Sequence, residues 1–434
     1  MPLGSTPVER RIRQEGAALR RENRPARHLP CCSSFSGWIL FDVAIVGARC
    51  AGSTTAMLLA RRGYRVLILE RAEFPCDTLS TLFIHLRGME LLAQWGLLDE
   101  VLATGCPPLT ELSFTAPGIR VEGTVPADGD ARMVCAPRRY ALDEVLARGA
   151  VRAGAEFRQG VSVTGLHWED GAVAGVTCRA SDGRPSVERA RLVIGADGRR
   201  STVARLVGAP YTRWDGRLTR AWYTYWSGVD GASLRLFLGK GVGGTAIPTH
   251  DGLTLINVQF SVDHPLGARS ERDRLYLDLL ARAAPELREA VAEGRREDRL
   301  YCCGDLPNFF RRPTGPGWAL VGDAAHHKDP LGAQGIADAF EQAALLDQCL
   351  ADGQCDGRRG GLGDRERTAA ALARYATALE SRFAAPYEEN LRHARLAESE
   401  QQTAGLRVAL DDPPFREGFL RTLSGAPGKQ NEVS

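Results

Sequence analysis

The 434-residue chain is 44% hydrophobic and 25% charged, with a formal net charge of +2. That length supports a large core and two closely packed domains, and the near-neutral balance argues against nucleic acid or an acidic membrane as a partner. No apolar run approaches the roughly 18 residues of a membrane span; the longest, Trp38 to Gly47, carries Asp42. The eleven cysteines show no CxxC and no zinc spacing with histidine, which fits free thiols in a reducing cytoplasm and no metal site. The composition sets no oligomeric state.

The first 37 residues are rich in arginine between Arg10 and Arg27, with no apolar stretch of the kind an export signal needs, and read as a disordered basic tail. From Phe41 the pattern becomes strand, turn, helix, strand. Phe41 to Val46 is a short apolar run, Ser53 to Arg62 has helical composition, and Gly63 ends it. Tyr64 to Glu70 is a second apolar strand, which completes one βαβ unit of a parallel sheet. A helix is expected over Leu86 to Leu98 and an amphipathic helix over Arg139 to Ala153. Between them, short apolar runs from Leu112 to Cys135 read as antiparallel strands. A strand pair joined at Glu169-Asp170-Gly171 precedes a return to the parallel sheet at Leu192 to Gly195. Residues 219–260 alternate strongly and predict a second, antiparallel sheet, followed by helices over 271–293. Leu320 to Leu350 rejoins the first sheet, and 365–400 is helical.

Three motifs stand at strand ends. Gly47-Ala48-Arg49-Cys50-Ala51-Gly52 follows a strand and opens a helix, the context a dinucleotide fingerprint requires. Gly47 makes the turn, Gly52 permits close helix packing, and a pyrophosphate can rest on the N–H groups there. Arg49 occupies the place of the middle glycine, so its side chain must turn away from the pyrophosphate or bond to it. Glu70, 23 residues after Gly47, ends the second strand, where a carboxylate can bind both ribose hydroxyls of an adenosine; Arg71 follows it. Asp197-Gly198 is the second motif, with Ser201 and Arg205 four residues apart. The third is Gly322-Asp323, ending a buried strand, with Pro330 in the loop beyond and a helix opening at Gly335-Ile336. Asp323 is placed to hold a polyol hydroxyl and the helix start to face an anion. These three, in this order, point to FAD rather than NAD as the bound cofactor.

With these residues the chain resembles the FAD-dependent aromatic hydroxylase-like monooxygenases, the para-hydroxybenzoate hydroxylase group, over roughly residues 38–400. The resemblance implies that Gly47, Arg49, Ala51, Gly52, Glu70 and Arg71 surround the ADP portion. It implies that Arg139, three residues before Leu142-Asp143, contacts FAD, that Asp197 and Gly198 touch FAD and the nicotinamide donor, and that Asp323 bonds the ribitol. Pro330, Gly335 and Ile336 then lie against the flavin. The chain departs from the family's usual run at Ala333 and Ala337, where glycine and asparagine are common. The implied fold is mixed α/β: a Rossmann-like FAD-binding domain with a parallel sheet (38–111, 137–208 and 301–350), an antiparallel-sheet substrate domain (112–136 and 209–300), and a C-terminal helical region (351–434). The implied reaction uses NAD(P)H and dioxygen to oxygenate a small organic substrate through a C4a-(hydro)peroxyflavin. A C=C reductase of geranylgeranyl reductase type, or a non-catalytic flavin-binding module, are the alternatives. Halogen transfer is disfavoured, because no lysine precedes Lys240 and the Trp-x-Trp-x-Ile-Pro motif is missing.

Two further groups are candidates for chemistry. Only three of the 55 Lys and Arg residues are lysines, and one, Lys328, lies in His326-His327-Lys328-Asp329 beside Pro330. His326 and Lys328 are therefore candidate catalytic residues, as an acid or base near the flavin or as a holder of a substrate anion. Period-two alternation in a strand puts Tyr223 and Tyr225 on one face, with Trp222 and Trp226 on the other. The tyrosine face is the candidate wall of a substrate pocket, while His250 reads as a satisfied structural histidine.

Overall fold

The computed structural model describes residues 40–126, 132–229, 231–352, 365–396 and 400–425. The basic tail expected over 1–37 lies outside these residues. The parallel sheet contains Phe41–Val46, Val66–Glu70, Glu156–Gln159, Pro185–Gly195 and Trp318–Leu320. Numbered along the chain, these strands lie in the spatial order five, four, one, two, three, and every neighbouring pair is parallel. The first two are buried along nearly their whole length. That explains why they read as continuous apolar runs rather than alternating ones: both faces are covered, with the helix Cys50–Arg61 against both strands and the strand Val161–Glu169 against the second. The helix Cys50–Arg61 packs against Arg139–Arg152 and Gly335–Ala351.

The strand order reverses beside Phe41–Val46, which pairs with Val66–Glu70 on one side and Pro185–Gly195 on the other. Open α/β sheets bind ligands beyond the strand C-termini at such a reversal. Glu70, the Ala196-Asp197 turn and the Gly322-Asp323 turn all stand at that edge.

The second sheet runs in the order Arg295–Arg296, Thr219–Ser227, Thr254–Ser261, Val242–Pro248, Leu234–Gly239, Glu111–Ala116, Ile119–Thr124. The last two strands form a hairpin that joins through a parallel pairing of Leu234–Gly239 with Glu111–Ala116, across more than a hundred residues of chain. Helices Arg272–Ala283 and Pro285–Glu293 cover one face and bury Trp222, Trp226, Phe260 and Tyr276 there. Tyr223, Tyr225, Ile247 and Leu255 point the other way, into the core shared with the parallel sheet.

Two expectations change. Arg139–Arg152 is not amphipathic: all but three of its residues are buried, including Arg139, Asp143 and Glu144, because it is clamped between the parallel sheet and its neighbours. The segment over Leu86 to Leu98 breaks into Leu86–Gln94 and Leu98–Leu102, with Gly96 at φ +70° between them. A third sheet, unforeseen in the sequence, joins Tyr211–Arg217, Pro307–Arg311 and His326–His327.

Candidate active site

The three motifs converge. A β-carbon on Gly47, which sits at φ +99°, would stand 2.6 Å from the Ala196 carbonyl oxygen, and one on Gly52 would collide with the carbonyl of Gly47. On the other side, a β-carbon on Gly322 would reach within 2.8 Å of the Ala51 side chain. The Gly-rich turn is thus wedged between the Asp-Gly and Gly-Asp turns at backbone distance, which only glycine permits.

The nucleotide end is built for an anion. No side chain caps the helix Cys50–Arg61 at Arg49, so the first-turn N–H groups are left for a ligand. The Glu70 carboxylate is buried and accepts the Ala48 N–H at 2.9 Å through one oxygen and the Ala72 N–H at 2.9 Å through the other. Each oxygen keeps a lone pair for a ribose hydroxyl. Arg49 turns away from the backbone of the turn. Its guanidinium donates to Asp143 at 2.7 Å and to the Cys76 sulfur, and lies 5.8 Å from the Phe74 ring centre. Arg139 donates to both oxygens of the same Asp143, at 2.8 and 3.1 Å. Two arginines around one carboxylate leave a net positive charge beside the turn. Arg71 is exposed at the strand end.

Asp197 is committed locally. It accepts from Ser201 Oγ at 2.5 Å and from the Thr202 and Val203 N–H groups at 2.6 and 3.3 Å, pinning the short helix Thr202–Leu206. It thereby fixes the backbone at Gly198 (φ +78°). Asp323 differs: it is half-buried and makes no side-chain hydrogen bond among the described residues, so its carboxylate is open. Beyond it, Pro330–Gly332 forms one 3-10 turn. Ala333 takes the left-handed conformation (φ +51°) where glycine is usual, and no side chain caps the helix Gly335–Ala351. The N–H groups at Gly335 and Ile336 are therefore available to an anionic group. An uncapped helix start gives a nearby anion about 0.3–2 kcal/mol, equivalent to roughly 6–45 mV on a two-electron couple. Uncapped N–H groups, an acid at the ribose position and an open carboxylate at Asp323 all fit FAD.

On the second sheet, Tyr223 stacks on Tyr301 with ring centres 5.1 Å apart, and Tyr225 meets Tyr223 edge-on. The Arg138 guanidinium lies 4.0 Å from the Tyr225 ring centre and donates to Asp77. His250 is buried and satisfied. Its Nδ1 accepts the Arg138 N–H at 3.1 Å, so its Nε2 carries the proton facing Thr104 Oγ1 at 2.9 Å.

The proposed acid–base residues are placed differently from the expectation. His326 lies in a buried two-residue strand, 2% exposed, enclosed by Phe310, Phe383 and Tyr387. Burial pushes its pKa down to about 3; its Nδ1 faces Gln342 Nε2 at 3.4 Å, and its Nε2 has no hydrogen-bond partner among the described residues. The ring packs among these aromatics rather than standing open beside Pro330. Lys328 is also buried, with Nζ 2.9 Å from Asp338 Oδ2 in an ionic contact that lacks hydrogen-bond alignment. Asp338 lies in the first turn of the helix that opens at Gly335, so Lys328 braces that helix rather than facing a substrate.

Sequence reasoning placed Asp329 in the polar run but missed its partners. Its carboxylate accepts from Thr219 Oγ1 (2.7 Å), Gln259 Nε2 (3.3 Å) and the Leu331 N–H (3.2 Å). Its backbone N–H donates to Asn308 and its carbonyl accepts from Asn390. Burial raises its pKa to about 6 against those donors. Also missed was His85, whose Nε2 donates to the Gly332 carbonyl at 2.8 Å, with burial lowering its pKa. The capping signal Asp-Pro at 329–330 was legible; the partners across the fold were not.

Residues 41–235 match the FAD binding domain family. The chain is 29% identical over 348 residues to the 6-methylpretetramide 4-monooxygenase of Streptomyces rimosus, covering 77% of this chain and 80% of that one. It is 30% identical to the rifampicin monooxygenase of Streptomyces venezuelae, covering 73% and 67% respectively. In fold it superposes on the flavin-dependent brominase Bmp2 with a TM-score of 0.75 over 90% of this chain and 94% of that one, at 18% identity. Among the described residues no helix is long and apolar enough to cross a membrane. A family match over residues 41–235, with monooxygenase relatives along most of the chain, identifies the molecule as an FAD-dependent oxidoreductase: it belongs to the FAD-dependent, aromatic hydroxylase-like monooxygenases.

Proposed function

We propose that this monooxygenase oxygenates a flat aromatic substrate held between the tyrosine face of the second sheet and the Pro330–Gly335 loop. The observation that carries this reading is the sidedness of the Thr219–Ser227 strand: its tryptophans are covered by helices, and Tyr223 and Tyr225 face the half that carries the FAD motifs. Relatives named as a 6-methylpretetramide 4-monooxygenase and a rifampicin monooxygenase support it. FAD, when bound, would supply the redox chemistry, with NAD(P)H as reductant and dioxygen as oxidant. The chain's own residues bind and orient. Gly47 to Gly52 and the Arg49–Asp143–Arg139 cluster hold the pyrophosphate, Glu70 the ribose, and Asp323 the ribitol. Asp197 fixes Gly198 and its neighbours for approach of the nicotinamide. The uncapped helix start at Gly335-Ile336 would favour negative charge on a group bound against it. Tyr223, Tyr225 and Tyr301 hold an aromatic ring and exclude water. Residues 38–111, 137–208 and 301–350 serve the cofactor, while 112–136 and 209–300 serve the substrate, in a cytoplasmic protein.

The test is oxygen uptake by purified, FAD-loaded protein with NADH or NADPH and fused-ring phenols. Substrate-stimulated uptake, with label from 18O2 in the product, is expected. If no aromatic compound stimulates uptake and an isoprenoid double bond is saturated without oxygen, the enzyme is a C=C reductase and this reading fails.

A further inference from the structure

Across the three central strands of the second sheet, Tyr223, Asn257 and Thr245 lie opposite one another in register. The next row toward the Pro330 loop holds Ala221, Gln259 and Gly243. A β-carbon on Gly243 would meet Leu331 at 3.2 Å, so this face looks onto that loop. Both Asn257 (1% exposed) and Thr245 (7% exposed) are buried, and both carry an oxygen without a partner among the described residues: Asn257 Oδ1 and Thr245 Oγ1.

The orientation of the Asn257 amide follows from a chain of donors. The Leu331 N–H makes Asp329 Oδ1 an acceptor, so the Gln259 group facing it at 3.3 Å is the NH2. Gln259 Oε1 therefore faces Asn257, which donates Nδ2 to it at 3.4 Å. The amide oxygen is left as the free end. A buried acceptor without a donor is costly, and this one is oriented by a relay anchored at the flavin loop.

We propose that Asn257 Oδ1 and Thr245 Oγ1 form a substrate subsite that takes a neutral hydroxyl or N–H group, beside the aromatic wall of Tyr223. An amide oxygen accepts from a hydroxyl and repels a carboxylate, so the subsite selects a phenol or enol over an acid. Thr245 Oγ1, which can donate or accept, serves the second lone pair or a neighbouring oxygen of the same group. This assignment rests on the aromatic-substrate reading above.

FAD-loaded protein is titrated with 2-naphthol, 2-methoxynaphthalene and 2-naphthoate, following the flavin spectrum. The naphthol should bind about tenfold more tightly than its ether, the value of one buried hydrogen bond, and the acid should bind least. Asn257→Leu should remove that preference by weakening only the naphthol, with FAD affinity unchanged; Thr245→Val, nearly isosteric, should weaken it by a smaller factor. Equal affinity for naphthol and ether in the wild type overturns the subsite while leaving the aromatic reading intact. So does an unchanged preference in both variants. If none of the three probes binds to FAD-loaded protein, the aromatic reading falls and the subsite with it.

Discussion

Asp329→Asn tests the electrostatics of the joint between the two halves. The Asp329 carboxyl is 1% exposed, and burial lifts its pKa from 3.8 to about 6. The folded state therefore binds a proton more tightly than the unfolded chain, and this group's contribution to stability falls as pH rises through 4 to 6. At 1.36 kcal/mol per pH unit, the ionised carboxylate costs about 1.6 kcal/mol at pH 5 and about 3 kcal/mol at pH 7.5. Asparagine fits the same contacts: its oxygen can accept from the Leu331 N–H and from Gln259, and its NH2 can donate to Thr219 Oγ1, which lies at 2.7 Å. The variant should thus be more stable by about 3 kcal/mol at pH 7.5, with the gap about 1.4 kcal/mol smaller at pH 5. Urea unfolding at the two pH values, at saturating FAD, measures both numbers. The hydrogen bonds from Thr219 and the Leu331 N–H act in the opposite direction and are already counted in a pKa of about 6. A variant less stable at pH 7.5, or a gap that does not change with pH, would mean those bonds dominate and the carboxylate is not raised.

The other predictions concern single contacts. Asp323→Ala removes the one open carboxylate of the Gly-Asp turn and should weaken FAD binding about tenfold or more, with the fold intact by circular dichroism; wild-type FAD affinity would remove Asp323 from the ribitol. Arg49→Ala leaves Arg139 and Asp143 to neutralise each other, so FAD affinity should fall a few-fold and lose part of its salt dependence; an unchanged salt profile would show that the arginine only braces Cys76 and Phe74. His326→Phe should keep substrate-stimulated NAD(P)H oxidation, because the ring sits among Phe310, Phe383 and Tyr387. The wild-type imidazole, with its pKa lowered to about 3, loses stability as pH falls below 6.5, and the phenylalanine variant should lack that acid-side loss. Abolished activity in a folded variant would return His326 to the chemistry.

The nucleotide-binding half was legible because its constraints are local. Gly47, Gly52 and Gly322 are required where backbones meet, and each stands beside a strand whose burial on both faces writes a continuous apolar run. The face assignment of Tyr223 against Trp222 was legible for a similar reason, since strand alternation needs no knowledge of partners. Arg49 was readable only as a problem: the missing glycine was evident, but its solution, Asp143, lies 94 residues away. The His326–Asp329 run was read for acid–base chemistry because its polar residues stand beside Pro330. In the fold it is a buried strand and turn, and each polar group is absorbed by a partner from a distant segment or by an aromatic cage.

On the proposed reading, that run also holds cofactor and substrate in register. The loop from Asp329 to Gly335 must sit within reach of both, yet it belongs to neither sheet. It is tied to the second sheet through Thr219 and Gln259, to the long C-terminal helix through Asn390, and to the nucleotide-binding half through His85. A loop held by apolar contacts alone could slide, whereas directional bonds from three elements fix its position to a fraction of an ångström. The buried charge at Asp329 costs stability that a neutral residue would not. If Asp329→Asn proves more stable but less well coupled, consuming NAD(P)H without oxygenating the aromatic probe, the carboxylate sets the placement of the loop at the expense of stability. If it proves more stable and equally coupled, the neutral amide positions the loop as well, and the charge has no part in the alignment.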